Sequence, residues 1–289
     1  MDFLNELWAT YSTLIFTLGV HALLALSIYL TLSCGLLSLA NAAFMGIGAY
    51  TAALCTMNTE LPFALSLLVG SALPAVIAVL IGIPVLRLSG VYLAMATLGF
   101  GEVVRVILLN LEITGGPMGL NGIPTLTEGW HIFSLLAITI YAIYRLRHAK
   151  VGRAFEAIKE DEVAAQLMGI NVKRYKLLAF VLGAMIAGLA GGLNAHFTFF
   201  LSPREYGFGF AVDILTMAVL GGANTLVGPM IGSSILTLLP ELLRFLKEYR
   251  MAINGLVLIV VILYLPNGLW NPRGWRQWRQ ARRTSKGVI

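Results

Sequence analysis

The sequence predicts an all-α protein that crosses a membrane several times. Of its 289 residues, 58% are hydrophobic and 12% are charged, whereas a soluble domain carries about 25% charged residues. The apolar residues stand in continuous runs of about 20, the length that an α-helix needs to cross a bilayer. Because lipid offers the backbone no hydrogen bonds, such runs form helices. A transmembrane β-barrel would instead show alternating polarity along each strand.

We predict about nine membrane-spanning or re-entrant helices, within a range of eight to ten. They cover residues 10–33, 37–57, 62–83, 90–110, 130–146, 176–199, 208–223, 226–243 and 251–266. The span at 208–223 is short for an upright helix. The whole chain, 1–289, is expected to form one membrane domain. Its first apolar run is interpreted as a retained span, because no basic stretch precedes it as in a cleaved leader.

The placement of basic residues predicts the orientation. With the N-terminus outside, fifteen Lys and Arg residues lie on the inner side, four lie on the outer side, and Arg105 remains inside a span. Such an excess is typical of cytoplasmic loops. An odd number of spans then places the C-terminus and its basic tail, 271–289, in the cytoplasm. We interpret this tail as a topology signal on anionic lipid; nucleic-acid binding is disfavoured, because no aromatic–basic module accompanies it.

A polar segment at 150–170 interrupts the apolar chain on the predicted cytoplasmic side. Its apolar residues before Glu160 share one helical face, but several later ones drift off that face. Two short helices therefore fit better than one. The second would have Asp161 as its N-cap and Gly169 just past its end.

The acidic start of this second helix bears on what it contacts. Glu160, Asp161 and Glu162 would crowd its N-terminus, where the helix dipole favours negative charge. A helix resting on the bilayer usually carries Lys and Arg on its polar face. Small apolar residues flanked by acids suit insertion into a groove of a partner protein. Both interpretations stay open on these residues alone, and docking is the favoured one.

Five stretches, in order, resemble one protein family. AFEAIKEDEVAAQLMGINVKRYKLLAF resembles the cytoplasmic coupling segment of LivM-type permeases, the membrane subunits of branched-chain amino acid ABC importers. The others are LSLANAAFMGIGAYTAAL, GVYLAMATLGFGEVVRVI, TGGPMGLNGIP and VLGGANTLVGPMIG. The chain departs from the family pattern around the LSL motif at residues 37–39. The family often has a Gln before it and a His after it, where this chain has Cys34-Gly35-Leu36-Leu37 and Asn41, a difference that concerns the cargo more than the fold.

The resemblance implies a division of labour between subunits. The sequence contains no G-x-x-x-x-G-K-[ST] motif, so a phosphate-binding loop, with its ATP and Mg²⁺, would belong to another subunit. No cofactor is therefore expected in this chain. The implied partners are two cytoplasmic ABC ATPases, a second permease that is related or identical, and an external binding protein that meets the outer loops. The implied location is a bacterial inner membrane.

The resemblance also assigns the segment from Glu160 to Gly169 as the coupling helix, which enters the ATPase. Ala164 and Ala165 would allow a close approach, and Glu160, Asp161 and Glu162 would fix the orientation.

Two segments rich in small residues, 40–53 and 220–234, are candidates for the translocation path. Small residues allow close helix packing, and interrupted spans often mark transport sites. Packing alone is the alternative for both. The path residues that we predict are Asn41, Gly46, Gly48, Thr97, Glu102, Asp213, Gly221 and Gly222.

Ionisable residues inside spans cost about 2.5–3.5 kcal/mol each to insert and therefore need an explanation. Glu102 and Arg105 lie three residues apart on one predicted helix, so they can neutralise each other. This structural pairing is slightly favoured over a contact with cargo. If Glu102 or Asp213 instead carried protons, the chain would be an ion-coupled secondary transporter.

The expected cargo of the importer is a branched-chain or another hydrophobic amino acid. Urea, amides and aromatic acids are the alternatives, because relatives of this kind diverge in what they transport. The hydrolase motifs H-E-x-x-H and G-x-S-x-G are absent from the sequence, so an intramembrane protease or esterase is disfavoured.

Overall fold

The computed structural model describes residues 2–242 except Glu60 and Ala223. The ninth predicted span, 251–266, and the basic tail, 271–289, lie outside the described residues. Within those residues the chain forms ten α-helices. They are α1 Asp2–Ser33, α2 Asn41–Asn58, α3 Phe63–Val85, α4 Gly90–Asn110, α5 Gly129–His148, α6 Lys150–Glu160, α7 Glu162–Leu167, α8 Val172–Thr198, α9 Phe208–Gly221 and α10 Val227–Leu242.

Each of the first eight predicted spans corresponds to one of these helices, and α6 and α7 form the polar segment. Among the described residues, five helices are long and apolar enough to cross a membrane: Tyr11–Ser33 within α1, and α3, α4, α5 and α8. These features support a polytopic helical membrane protein. The total number of spans and their orientation stay predictions.

The helix α8 forms the centre of the bundle, in contact with α1, α2 and α3. Gly48 of α2, Gly70 of α3 and Gly188 of α8 meet there in what we call the glycine junction. A Cβ atom on any one of them would overlap the backbone of another. Small residues of this kind let helix backbones approach closely. By contrast, α4 and α5 lie at the edge of the bundle, and most of their apolar surface is exposed, as lipid-facing helices require.

The end of the bundle opposite α6 and α7 carries a small β-structure. Two 3₁₀ turns, Glu112–Thr114 and Gly116–Met118, lead into strand β1, Leu120–Asn121, which pairs antiparallel with β2, Phe200–Leu201. Gly119 has a φ of 78°, and a Cβ atom there would overlap the Leu201 carbonyl. Only glycine fits this turn without strain. The stretch TGGPMGLNGIP, residues 114–124, lies in this region.

The helix α9 begins inside the bundle. Its first residue, Phe208, donates its backbone N–H to Glu102 Oε1 over 2.9 Å, and Glu102 lies roughly 12 Å before the end of α4. Tyr206, just before α9, packs on Gly46 near the start of α2. With 14 residues, α9 is roughly 21 Å long, too short to cross a hydrocarbon core of about 30 Å. The predicted short span is therefore present.

The helices α9 and α10 form a tight hairpin that turns at Gly222, whose φ is 101°. A Cβ atom on Gly221 would overlap the Gly228 carbonyl, and one on Gly232 would overlap the Met217 carbonyl. The hairpin also packs against α1, where His21 Nδ1 lies 2.7 Å from the Thr237 hydroxyl of α10. The glycines therefore make the two helices one closely packed unit.

Candidate functional site

The helix α6 rests on the bundle through one apolar face. Ala154, Phe155 and Ile158 are buried, and the Phe155 ring packs edge-on against Tyr175 of α8, with 6.3 Å between ring centroids. A Cβ atom on Gly152 would overlap the Arg147 backbone, so the turn from α5 into α6 leaves room only for glycine. This face holds α6 in place and leaves its charged residues on the outside.

Asp161 ends α6 and begins α7. Its backbone is extended, with φ −154° and ψ 113°. Its Oδ1 atom accepts hydrogen bonds from the Val163 and Ala164 N–H groups, over 2.8 and 3.0 Å. Such a side-chain cap satisfies N–H groups that the first turn of a helix leaves unpaired. The prediction of two helices joined at an Asp161 N-cap is confirmed.

The end of α7 follows the predicted glycine pattern as well. Gly169 has a φ of 81° and donates its N–H to the Gln166 carbonyl over 2.9 Å. The Ile170 N–H donates to the Ala165 carbonyl over 3.0 Å. These two bonds form a Schellman motif. The segment 150–170, which is predicted to be the coupling segment, therefore has a defined shape that its own residues encode.

The helix α7 exposes apolar side chains on its outer side. Val163, Leu167 and Met168 are 66%, 84% and 82% exposed, and Ala164 is exposed between them. Ala165 is only 3% exposed and faces the bundle. Ala164 and Ala165 therefore face different sides, because successive residues of an α-helix are about 100° apart. Their contact with a partner stays a prediction.

The three acids at the start of α7 differ in their surroundings. Glu160 and Asp161 are exposed, but Glu162 turns inward and pairs with Lys176 of α8, with 2.5 Å between Oε2 and Nζ. Lys176 is 7% exposed. The sequence did not predict this pair, since Lys176 stood out there only as one of the basic residues of the inner side. The partners lie on different helices, and no local spacing signals the contact.

Cys34 follows α1 and lies close to the same ion pair. It is fully buried, and this burial raises the pKa of its thiol to about 12, while Lys176 lowers the pKa and Glu162 raises it. The thiol therefore stays protonated at physiological pH. Cys34 acts here as a small packing residue.

Two of the predicted path residues, Asn41 and Thr97, are buried and hydrogen-bonded. Asn41 Nδ2 donates to the Ser27 hydroxyl of α1 over 2.8 Å. The Thr97 hydroxyl of α4 accepts the Leu39 N–H over 3.0 Å. Together they fix the chain between α1 and α2 to its neighbours. Their contribution to a transport path stays a prediction.

The predicted path glycines also lie in helix contacts. Gly46 packs under Tyr206, and Gly48 belongs to the glycine junction. Gly221 and Gly222 form the seam and the turn of the α9–α10 hairpin. The structure thus brings Gly46 close to the start of α9 through Tyr206, and it places the other three glycines where helices approach most closely.

Glu102 and Arg105 form the predicted pair inside α4. The Arg105 Nη2 and Glu102 Oε2 atoms lie 2.6 Å apart, and about a third of each side chain is exposed. The other oxygen of Glu102 accepts the N–H of Phe208, so this carboxylate also caps α9. Negative charge is favourable at a helix N-terminus. Glu102 therefore holds the start of α9 to α4. Asp213, the remaining path candidate, is half-buried on α9.

These features define a class of protein: a multi-helix membrane protein with a short helix that begins inside the bundle and a structured polar segment that exposes an apolar face. The chain matches the family described as branched-chain amino acid transport system, permease component, over residues 10–262. It belongs to this family of transport permeases.

Individual relatives agree with this assignment. The chain is 36% identical to the high-affinity branched-chain amino acid transport permease LivM of Escherichia coli K12, over 89% of this chain and 67% of LivM. It is 37% identical to LivH of the same organism, over 47% of this chain and 43% of LivH. It is 29% identical to the ribose import permease RbsC, over 49% of this chain and 45% of RbsC. No solved structure shows a significant match.

Proposed function

We propose that this chain is the permease subunit of an ATP-driven importer of branched-chain or other hydrophobic amino acids. Its family and the name of its LivM relative support the role and the cargo class. The similarity to LivH supports an importer with two related permeases. The ribose permease among the relatives marks how far cargo diverges, so urea, amides and aromatic acids remain the alternative cargos.

The exposed apolar face of α7 is the observation that carries the ATP-driven mechanism. Val163, Leu167 and Met168 point away from the bundle, while Ala165 and the Glu162–Lys176 pair hold the helix from behind. A helix with this anchoring presents its apolar face to a groove on a partner protein. We assign that groove to an ABC ATPase subunit, since the chain has no phosphate-binding loop of its own.

The proposed assembly follows from this assignment. The α6–α7 end lies in the cytoplasm and the β1–β2 end lies outside, where an external binding protein delivers cargo to the loop at 114–124. A second permease completes the path. The α9–α10 hairpin, together with Asn41, Gly46, Gly48, Thr97 and Glu102, lies next to that path. Closure of the ATPases pushes on α7 and alternates access to it.

Reconstitution tests the proposal directly. The permease pair, its ATPases and its binding protein are placed in liposomes, and uptake of labelled leucine is measured with and without ATP. We expect uptake only with ATP. Uptake by this chain alone under a proton gradient would instead make it a secondary transporter. Of the two candidate proton carriers, Glu102 is already bound to Arg105 and to the Phe208 N–H.

The docking role of α7 has its own test. Ala164→Arg places a charged side chain between Val163 and Leu167, so it should abolish substrate-stimulated ATP hydrolysis while membrane insertion stays normal. Gln166→Arg is the matched control, because Gln166 is exposed on another side of the same helix. Normal coupling in the Ala164→Arg complex would remove α7 from the ATPase interface.

A further inference from the structure

We propose that Lys159 and Asn224 connect the coupling segment to the tip of the α9–α10 hairpin, so that the two move as one unit during transport. This inference rests on the proposed ATP-driven function and names the residues that pass motion from the ATPase-docking helix to the hairpin. Lys159 and Asn224 act as positioning residues, and neither is assigned a contact with cargo.

Two cationic side chains hold Asn224. Lys159 Nζ of α6 donates to Asn224 Oδ1 over 2.8 Å. Arg147 Nη2, at the end of α5, donates to the Asn224 backbone carbonyl over 3.2 Å. Arg147 also lies 3.5 Å from the Glu156 carboxylate of α6. Hydrogen bonds that involve a charged group are stronger than neutral ones, and both of these end on one residue of the hairpin turn.

At the hairpin tip, the hydrogen bonds to Asn224 connect the hairpin to α5 and α6. They carry the connection because a cavity interrupts the close packing of these elements. A cavity of about 250 Å³ lies between α1, α5, α6 and Asn224, and its lining includes Tyr29, Leu146 and Phe155. Force cannot pass through an open space by van der Waals contact. Lys159, Arg147 and Asn224 all belong to its lining.

Lys159 belongs to the coupling segment, which the ATPases would displace. It lies in the last turn of α6, next to the Asp161 cap of α7. The Lys159 Cα atom packs on Gly35, whose φ is +74°. A Cβ atom on Gly35 would lie 3.3 Å from that Cα atom. A displacement of α7 therefore moves the Lys159 backbone directly.

The hairpin can carry the displacement further. Its glycine seam packs α9 on α10 without intervening side chains, and closely packed elements transmit strain. The far end of α9 is held by Glu102 of α4. The hairpin is thus attached to the coupling segment at its tip and to α4 at its start, beside the predicted path residues Gly46 and Glu102.

Variants that remove this contact should uncouple transport from ATP hydrolysis. Lys159→Met and Asn224→Leu are tested in the complete complex in liposomes, and cargo moved per ATP is measured. Mutations that act on coupling typically change it by roughly 2- to 30-fold, and we expect a fall in that range with ATP hydrolysis and assembly retained. Lys159→Arg and Asn224→Asp keep the donor and the acceptor and should keep most coupling.

Lys150→Met is the matched control, since Lys150 is exposed at the start of the same helix and lies outside the contact with Asn224. Full coupling in both Lys159→Met and Asn224→Leu would overturn the inference. Absence of ATP-driven uptake in the unaltered complex would instead overturn the proposed function.

A cross-link distinguishes two possibilities: the coupling segment and the hairpin tip move together, or the contact between Lys159 and Asn224 must open during transport. Lys159→Cys and Asn224→Cys are combined with Cys34→Ala and Cys55→Ala, and the new thiols are joined by a short bis-maleimide. The unlinked variant should be poorly coupled, and linking should restore cargo moved per ATP, because the two elements then move together again. Loss of transport on linking would show that the contact has to break, which contradicts the inference.

Discussion

At the scale of single residues, the Glu162–Lys176 pair shows how a buried charge positions the short helix α7. Lys176 is nearly inaccessible, while Glu162 keeps 42% of its side-chain surface exposed. Water screens the exposed partner and reduces the net value of the pair. The buried ammonium still needs its acceptor, because an unpaired buried charge is costly. The pair therefore fixes the position of α7 more than it adds to stability.

This asymmetry predicts unequal effects of removing each partner. Glu162→Ala leaves the buried Lys176 unpaired and should lower the free energy of unfolding by about 1–3 kcal/mol. Lys176→Met should cost less, because Met keeps the apolar stem and removes the buried charge. Thermal unfolding of the purified protein measures both, and protease cleavage near α7 reports the local change.

The double variant Glu162→Gln with Lys176→Met provides the control for this pair. It removes the charge from both sides at once and should be close to the unaltered protein in stability. If Glu162→Ala were as stable as the double variant, the ion pair would have no part in holding α7.

At the scale of elements, local signals predicted the coupling segment well. Asp161 and Gly169 mark the start and end of α7 through their own backbone chemistry, so the sequence alone located both. The spacing of Glu102 and Arg105 likewise revealed their pairing. The inward turn of Ala165 and Glu162 was missed, because the side of α7 that meets the bundle depends on α8. The same is true of the bonds from Lys159 and Arg147 to Asn224.

The glycine-rich segments show a different limit of prediction from sequence. Their composition predicted close approach, but it left open whether they approach a neighbouring helix or cargo. The structure resolves this for Gly48, whose partners are Gly70 and Gly188. Those residues lie on α3 and α8, far along the chain, so only tertiary structure brings the glycine junction together.

The glycine junction predicts a sharp contrast between two similar substitutions. Gly48→Ala forces α2 and α8 apart and should destabilise the protein by about 1–3 kcal/mol. Gly99→Ala, in the exposed part of α4, has open space around the new Cβ and should stabilise its helix by about 0.5–1 kcal/mol. Thermal unfolding in detergent compares them. Equal melting temperatures would mean that α2, α3 and α8 are not in contact at the junction.

At the scale of the whole molecule, the bundle has two different ends. One carries α6, α7 and the hairpin tip, with many charged residues. The other carries the β1–β2 pair and its 3₁₀ turns. The basic residues of the loops favour the first end as the cytoplasmic one. The proposed docking of α7 on an ATPase requires this orientation, since ATP would be hydrolysed in the cytoplasm.

Thiol labelling from one side of the membrane tests this orientation. Met118 and Met168 are 84% and 82% exposed and lie at opposite ends of the bundle. In a background with Cys34→Ala and Cys55→Ala, Met118→Cys should react with a membrane-impermeant maleimide in spheroplasts. Met168→Cys should react only after the membrane is permeabilised. Because both side chains are almost equally exposed, a difference in labelling reports the side of the membrane and not local access. Labelling of Met168→Cys in sealed spheroplasts would place α7 outside, away from any cytoplasmic ATPase, and would refute the coupling role of the segment.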